Sequence, residues 1–125
     1  SKPVIGIGQA SFHLAALSAG RFSVLTTLAV SVPVIRDNIE AQGFGRICDG
    51  VYASGVPVLE LENMPDKSYK TVSSHLQKIA IQSPTNAVIL GCAGMTNIWN
   101  KLQPEHQIIL IDPIAAAARL LPVLI

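Results

Sequence analysis

Cys92 is the side chain of this sequence whose position best suits acid–base chemistry. It follows the apolar run AVIL at residues 87–90, which is typical of a buried strand, and it precedes a helix predicted to begin near Met95. A thiol at the amino terminus of a helix is stabilised as a thiolate by unbonded backbone N–H groups and by the helix dipole. The position suits a reactive thiol, and the alternative is that Cys92 is a small hydrophobic residue of the core.

The residues beside Cys92 suit the same chemistry. Gly91 and Gly94 carry no side chain, so a substrate can approach the backbone closely on either side of the thiol. The backbone N–H groups of Ala93 and Gly94 are candidates for holding a carbonyl or enolate oxygen. The segment therefore combines a thiol with donors for a developing negative charge.

Four further residues carry polar side chains near the ends of the predicted strands. Thr26 and Thr27 end an apolar run, where their hydroxyls could bind a carbonyl or amide, or could simply belong to β-branched residues at a strand end. Cys48 comes at the start of a strand, at the end of the sheet opposite to Thr26, and is interpreted as structural. Asp112 precedes a proline, which favours a helix cap over a catalytic acid.

Several other chemistries are not indicated by the sequence. Neither cysteine has a second Cys or His at metal-ligand spacing, and the three histidines stand apart, so no metal site is predicted. The pair Gly6-x-Gly8 lacks the third glycine of a dinucleotide-binding fingerprint. Neither a Walker sequence nor a Gly-x-Ser-x-Gly elbow occurs.

The composition is that of an enzyme-like globular domain. Hydrophobic residues make up 50% of the 125 residues, the formal net charge is +1, and no run of Lys or Arg occurs. We therefore expect no binding to nucleic acid or to an anionic membrane surface. No apolar stretch reaches the roughly 20 residues that span a bilayer, and the start lacks the pattern of a signal peptide. The expected location is the cytoplasm.

Apolar runs and helical periodicity alternate along the chain. Strands are predicted at residues 22–26, 47–54, 87–90 and 108–111, with a strand end at 4–7 and an interruption of the second strand at Asp49 and Gly50. Helices are predicted at 9–19, 32–42, 65–82 and about 95–102, and a last helix begins at Pro113. Residues 55–65 are predicted to form an irregular connection. This alternation predicts an α/β fold with a small parallel sheet and helices on both faces.

Ligands of open α/β sheets bind beyond the carboxyl ends of the strands. Four segments are expected at that edge, namely residues 26–27, 54–55, 91–94 and 112–113. Cys92 and the two threonines should therefore lie at the same edge of the sheet.

Four segments, in this order, resemble the hydantoin and allantoin racemases of the aspartate/glutamate racemase superfamily. They are PVIGIGQA at 3–10, GRFSVLTT at 20–27, LGCAGM at 90–95 and IDP at 111–113. The most specific is Gly-Cys-Ala-Gly-Met, which looks like the group's second catalytic-cysteine motif, where glutamate racemases tend to carry Gly-Cys-Thr. The resemblance covers essentially all 125 residues.

The resemblance implies a cofactor-independent and metal-independent enzyme of two flavodoxin-like lobes, each contributing one cysteine. One thiolate removes the proton at the stereocentre, and the opposite thiol returns a proton to the other face. Cys92 is then catalytic, a hydantoin-type small molecule is the substrate, and a homo-oligomer is expected. The predicted substrate-binding positions are Gly6, Thr26, Thr27, Gly91, Ala93 and Gly94.

This sequence departs from the family pattern at the first catalytic cysteine. In the family that cysteine precedes the segment that matches residues 3–8, and Cys48 does not match it. We therefore expect the carboxy-terminal part of such an enzyme, inactive by itself, with the first lobe largely absent. In this interpretation residues 1–20 are a remnant of the first lobe with its crossover helix, 21–110 are the second lobe, and 111–125 form a helix that packs back on the first lobe.

Two alternatives remain open at this point. Related folds decarboxylate arylmalonates or isomerise maleate with one or two such cysteines, and a single functional Cys92 would suit a decarboxylase. The other alternative is a non-catalytic α/β binding domain, in which Cys92 is an unreactive core residue.

Overall fold

The computed structural model describes residues 7–83, 85–91, 98 and 101–124. The helices are α1 (Ile7–Ala19), α2 (Val32–Ala41), α3 (Val58–Asn63), α4 (Pro65–Gln82) and α5 (Pro113–Leu124), with short 3-10 helices at Ala29–Ser31 and Gln103–Glu105. The strands are β1 (Phe22–Thr26), β2 (Cys48–Ala53), β3 (Ala87–Leu90) and β4 (Ile109–Ile111). Residues 98, 101 and 102 are also helical, and the rest of the helix predicted at 95–102 lies outside the described residues.

The four strands form one parallel sheet in the order β2-β1-β3-β4. The central strands are buried along their whole length and, apart from Ser23 and Thr26, are apolar, because both of their faces are covered. On one face, Leu25 and Val88 pack with the buried sides of α3 and α4, including Leu61 and Leu76. The other face carries α1, α2 and α5, so the predicted α/β sheet with helices on both faces is confirmed.

The face covered by α1, α2 and α5 positions the candidate site. Val24 of β1 and Ile89 of β3 are register partners, and they share one core with Phe12 of α1, Ile39 of α2 and Ala116 of α5. Helix α1 runs from the carboxyl edge of the sheet back to Gly20, whose φ of 79° allows the sharp turn into β1. The first turn of α1 therefore lies at the edge where ligands are expected.

Strand β2 is continuous, whereas the sequence predicted an interruption at Asp49 and Gly50. The register with β1 shifts between Phe22 and Ser23, so that Asp49 is an extra residue in a β-bulge. Arg21 donates from Nε to Asp49 Oδ1 over 2.9 Å and also contacts it through Nη2. The ion pair compensates the charge that made this stretch look unsuited to a strand.

Two other predictions about elements were wrong. Ile7 begins α1 and does not end a strand, while residues 4–6 lie outside the described part. The connection predicted as irregular contains α3, which Ser68 of α4 ties down by donating from Oγ to the Glu60 carbonyl over 2.9 Å. None of the helices in the described ranges is long and apolar enough to cross a membrane.

The division into a first-lobe remnant, a second lobe and a terminal helix stays a prediction. In the structure α1 packs both on the sheet and against α5. Both helices therefore belong to the core of the unit that is described here.

Candidate active site

The carboxyl edge of the sheet is organised by the end of β3 against β1. Leu90 is the register partner of Leu25, and the next residue, Gly91, donates its N–H to the Leu25 carbonyl over 2.8 Å. A Cβ on Gly91 would stand 3.4 Å from Thr26 Cβ. Gly91 therefore packs directly beside Thr26, as the prediction of a shared edge requires.

Thr26 and Thr27 are buried at this edge, with 2% and 6% of their surface exposed. Their carbonyls accept N–H bonds from Ser54 at 2.8 Å and Gly55 at 2.7 Å, which extend the pairing of β1 with the chain that follows β2. No described residue hydrogen-bonds to either threonine hydroxyl. The backbone carbonyls of the two threonines therefore join β1 to the chain after β2, while their hydroxyls make no hydrogen bond within the described part of the chain.

A cavity of about 280 Å³ opens beside Gly91 on the face covered by α1, α2 and α5. The described residues that line it come from three helices and two strands: Gly8, Ser11, Phe12, Val24, Ile35, Asn38, Ile89, Gly91 and Pro113. Gly91 is thus the predicted site residue that reaches the cavity within the described part, whereas Thr26 packs beside Gly91 and neither threonine lines the cavity.

The cavity has an apolar floor and a more polar mouth. Phe12, Val24 and Ile89 are buried and form the floor, with exposed fractions of 4%, 1% and 2%. Gly91 and Asn38 are exposed to solvent and mark the mouth. Such a cavity suits a small molecule with one apolar end and one polar end.

Two helix amino termini meet at this cavity. Gly8 lies in the first turn of α1, and Pro113 is the first residue of α5. As the sequence predicted, Asp112 caps α5, since its Oδ1 accepts the N–H of Ile114 at 3.1 Å. The positive ends of both helix dipoles favour negative charge that develops in a bound molecule.

The remaining predicted site residues are Gly6, Cys92, Ala93 and Gly94, and they lie outside the described residues. Cys92 directly follows Gly91 in the sequence. The catalytic role of Cys92 and the substrate contacts of the other positions stay predictions.

Cys48 lies at the opposite edge of the sheet, where the sequence predicted it. It pairs in register with Phe22, and at roughly 3.3 Å per residue β1 places the level of Thr26 about 13 Å away. Burial raises the pKa of the Cys48 thiol, a backbone hydrogen bond at Gly50 lowers it, and the charge of nearby Asp49 raises it. This half-buried thiol is protonated at neutral pH and remote from the cavity.

No group of three or more His, Cys, Asp or Glu that could hold a metal ion occurs in the described ranges.

The sequence interpretation missed the side chains that helices bring to the cavity. Ser11 and Phe12 come from α1, and Ile35 and Asn38 come from α2. Ile35 and Asn38 are three residues apart, so they share one helical face. The polar amide of Asn38 beside the apolar stripe of α2 was the sequence feature from which this part of the site could have been predicted. The spacing of apolar residues predicted which face of each helix is buried, but not which residues on that face line the cavity.

Comparison with known proteins identifies the group to which this arrangement belongs. A family model described as Asp/Glu/Hydantoin racemase matches residues 1–121. The chain is 37% identical over 118 residues to a hydantoin racemase of Rhizobium meliloti, covering 94% of this chain and 49% of that protein. It is 28% identical over 118 residues to a hydantoin racemase of Pseudomonas sp. strain NS671, covering 94% and 47%.

Solved structures of allantoin racemases share the fold. The Klebsiella pneumoniae enzyme superposes with a TM-score of 0.91 at 32% identity, over 98% of this chain and 50% of that chain. The Pseudomonas fluorescens enzyme gives a TM-score of 0.92 at 29% identity, over 98% and 52%. The chain spans about half the length of the curated relatives that it matches. On these grounds, the chain belongs to the Asp/Glu/Hydantoin racemase family.

Proposed function

We propose that this protein racemises a 5-substituted hydantoin or allantoin by proton transfer at C5, with Cys92 as one of two acid–base thiols. The observation that carries the proposal is the position of Gly91, the residue before Cys92, on the cavity at the carboxyl edge of the sheet. Membership of the racemase family and the hydantoin and allantoin racemases among its relatives support the substrate class.

The proposed reaction needs a base on one face of C5 and an acid on the other. The Cys92 thiolate takes the proton, so that the C5–H bond breaks, an S–H bond forms, and the electron pair moves into the adjacent ring carbonyl. A second thiol then gives its proton to the opposite face as the carbonyl re-forms. Thiols suit both roles because their reference pKa of about 8.5 lies within reach of neutrality.

The developing enolate oxygen would be stabilised by backbone donors. The N–H groups of Ala93 and Gly94 are the proposed partners, and the amino termini of α1 and α5 add favourable dipoles at the cavity. Gly6 and Gly91 would let the ring lie close to the backbone, and the hydroxyls of Thr26 and Thr27 are proposed to bind its polar atoms.

Cys48 is not the second thiol in this proposal. It lies at the far edge of the sheet, and its raised pKa disfavours the thiolate. In the family pattern the partner cysteine precedes the segment that matches residues 3–8, so we propose that it comes from outside these 125 residues, and that this stretch alone does not racemise its substrate. The homo-oligomeric state and the cytoplasmic location stay predictions.

The test is deuterium exchange at C5 of allantoin and of a 5-alkyl hydantoin, followed by NMR in D2O together with optical rotation. The protein as its organism produces it is compared with the 125-residue form and with a protein-free blank. We expect deuterium exchange with loss of optical rotation in the natural-length protein and not in the 125-residue form. In the natural-length protein, racemisation should be abolished by Cys92→Ser and retained in Cys48→Ser.

Three results would speak against the proposal. The first is absence of exchange above the blank in either form. The second is a Cys92→Ser variant that racemises at the original rate. The third is carbon dioxide release from an arylmalonate without any racemisation of hydantoins, which would support the decarboxylase alternative.

A further inference from the structure

We infer that the cavity beside Gly91 receives the C5 substituent and selects an apolar one over the ureido group of allantoin, with Ile35 as a specificity-determining residue. This inference rests on the proposed function and names the substrate class within it. The relatives include racemases named for both hydantoin and allantoin, so the family alone does not decide between them.

The floor of the cavity carries the first part of the argument. Phe12, Val24 and Ile89 present only carbon atoms from their side chains, and all three are nearly completely buried. A ureido group brings N–H donors and a carbonyl acceptor, and burying them without partners is costly. An alkyl or aryl group loses nothing there and gains from leaving water.

The polar side chains of the cavity do not compensate a buried ureido group. Asn38 is exposed at the mouth, where the ring amides of a bound hydantoin would lie rather than its substituent. Ser11 is buried within the wall and already has an interaction partner of its own. The deep part of the cavity therefore matches an apolar substituent, and the mouth matches the polar ring.

Ile35 is the residue whose size sets the room for that substituent. It is half-buried, lines the cavity from α2, and lies one helical turn from Asn38 on the same face. Unlike Phe12 and Val24 it is not fully enclosed by the core, so it can be changed with less damage to the fold. Its neighbour Val34 is 61% exposed and does not line the cavity, which makes it a matched control.

The experiment measures kcat/KM for racemisation of 5-isobutylhydantoin, 5-methylhydantoin and allantoin by the natural-length protein. The unmodified protein is expected to prefer 5-isobutylhydantoin over allantoin by about tenfold or more, the scale at which an apolar pocket discriminates small groups. Ile35→Ala should lose about tenfold on 5-isobutylhydantoin and little on 5-methylhydantoin, whose substituent is too short to fill the cavity. Val34→Ala should match the unmodified protein on all three substrates.

The outcomes separate this inference from the function on which it rests. Racemisation with allantoin preferred would overturn the inference and leave the proposed function standing. An equal loss on all three substrates in Ile35→Ala would also overturn it, and Ile35→Val serves the same comparison if the alanine variant does not fold. Absence of racemisation with every substrate would overturn the proposed function first.

Discussion

Gly91 lies so close to Val24 that a Cβ on Gly91 would stand 3.1 Å from Val24 Cγ1. The same Cβ would lie 3.4 Å from the Leu25 carbonyl oxygen and from Thr26 Cβ, so it would be crowded on three sides. Glycine at this position therefore does more than leave room for a substrate. It lets the end of β3 close against β1 at the point where the chain leads into Cys92.

We expect Gly91→Ala to lower both stability and activity. The crowding should cost about 1–3 kcal/mol of unfolding free energy, and a shift of the backbone should displace the thiol that follows. Chemical denaturation and the C5 exchange rate measure the two effects. Gly8→Ala is the control for stability alone, because its Cβ would meet Phe12 Cζ at an ordinary 3.8 Å, whereas Gly8 itself lines the cavity. An equal loss of stability in the two variants would contradict the role given to the Gly91 contact.

Thr26→Val and Thr27→Val should keep the fold and weaken substrate binding. The carbonyls that accept from Ser54 and Gly55 are unchanged by the substitution, so the melting temperature should move little. Loss of a hydroxyl that binds the ring should raise KM by roughly tenfold, a typical effect of one hydrogen bond. Thr71→Val on α4, remote from the cavity, is the matched control. Unchanged KM in both variants would assign the threonines to the strand edge alone.

Ser23→Ala should stabilise the protein by about 1 kcal/mol. The Ser23 hydroxyl is buried in the sheet and has no hydrogen-bond partner among the described residues, so its removal relieves an uncompensated desolvation. Ser68→Ala is the opposite case, since the Ser68 hydroxyl donates to Glu60 and its loss should destabilise by a similar amount. Urea denaturation of the two variants checks the signs. A destabilised Ser23→Ala protein would show that the hydroxyl has a partner.

Cys48 should react with iodoacetamide only at alkaline pH. Burial raises its pKa, so the thiolate forms at higher pH than in an ordinary cysteine. Because the folded state holds this proton more tightly than the unfolded state, stability is intact below the ordinary thiol pKa and falls as pH rises towards the raised value. Cys48→Ser should remove that part of the alkaline decline. Mass spectrometry of pulse-alkylated protein from pH 7 to 10 gives the profile.

Cys92 provides the contrast in the same labelling experiment. Under the proposed function it should react faster than free cysteine at neutral pH. Reaction of Cys92 as slow as that of Cys48 would favour the binding-domain alternative.

The sequence predicted the sheet well where the chain's own composition decides the outcome. The runs FSVLT and AVIL are fully buried strands, and every residue in them except Ser23 is apolar or β-branched. The prediction for β2 was wrong because a residue distant in sequence pairs with its charge, and a side chain of the same strand covers its glycine. Arg21 precedes Asp49 by 28 positions, and the Tyr52 side chain covers Gly50.

The candidate site was predictable only in part, for a similar reason. The rule that parallel strands end together placed Gly91 beside Thr26 from the sequence alone. The cavity itself depends on how α1 and α2 are placed along the sheet, which brings Phe12 and Ile35 to the same cavity. The periodicity of apolar residues identifies the buried face of each helix, but not the position of the helix along the direction of the strands.

The contact between α1 and α5 has a consequence for how the protein folds during synthesis. Leu14 and Ser18 of α1 line one groove with Ala116 and Arg119 of α5, about a hundred residues later in the chain. Contacts of such large sequence separation form late, since a long loop must close first. On the ribosome, α1 would have to wait for α5 to emerge before its second face is covered, and until then that apolar face is a natural point for a chaperone to bind.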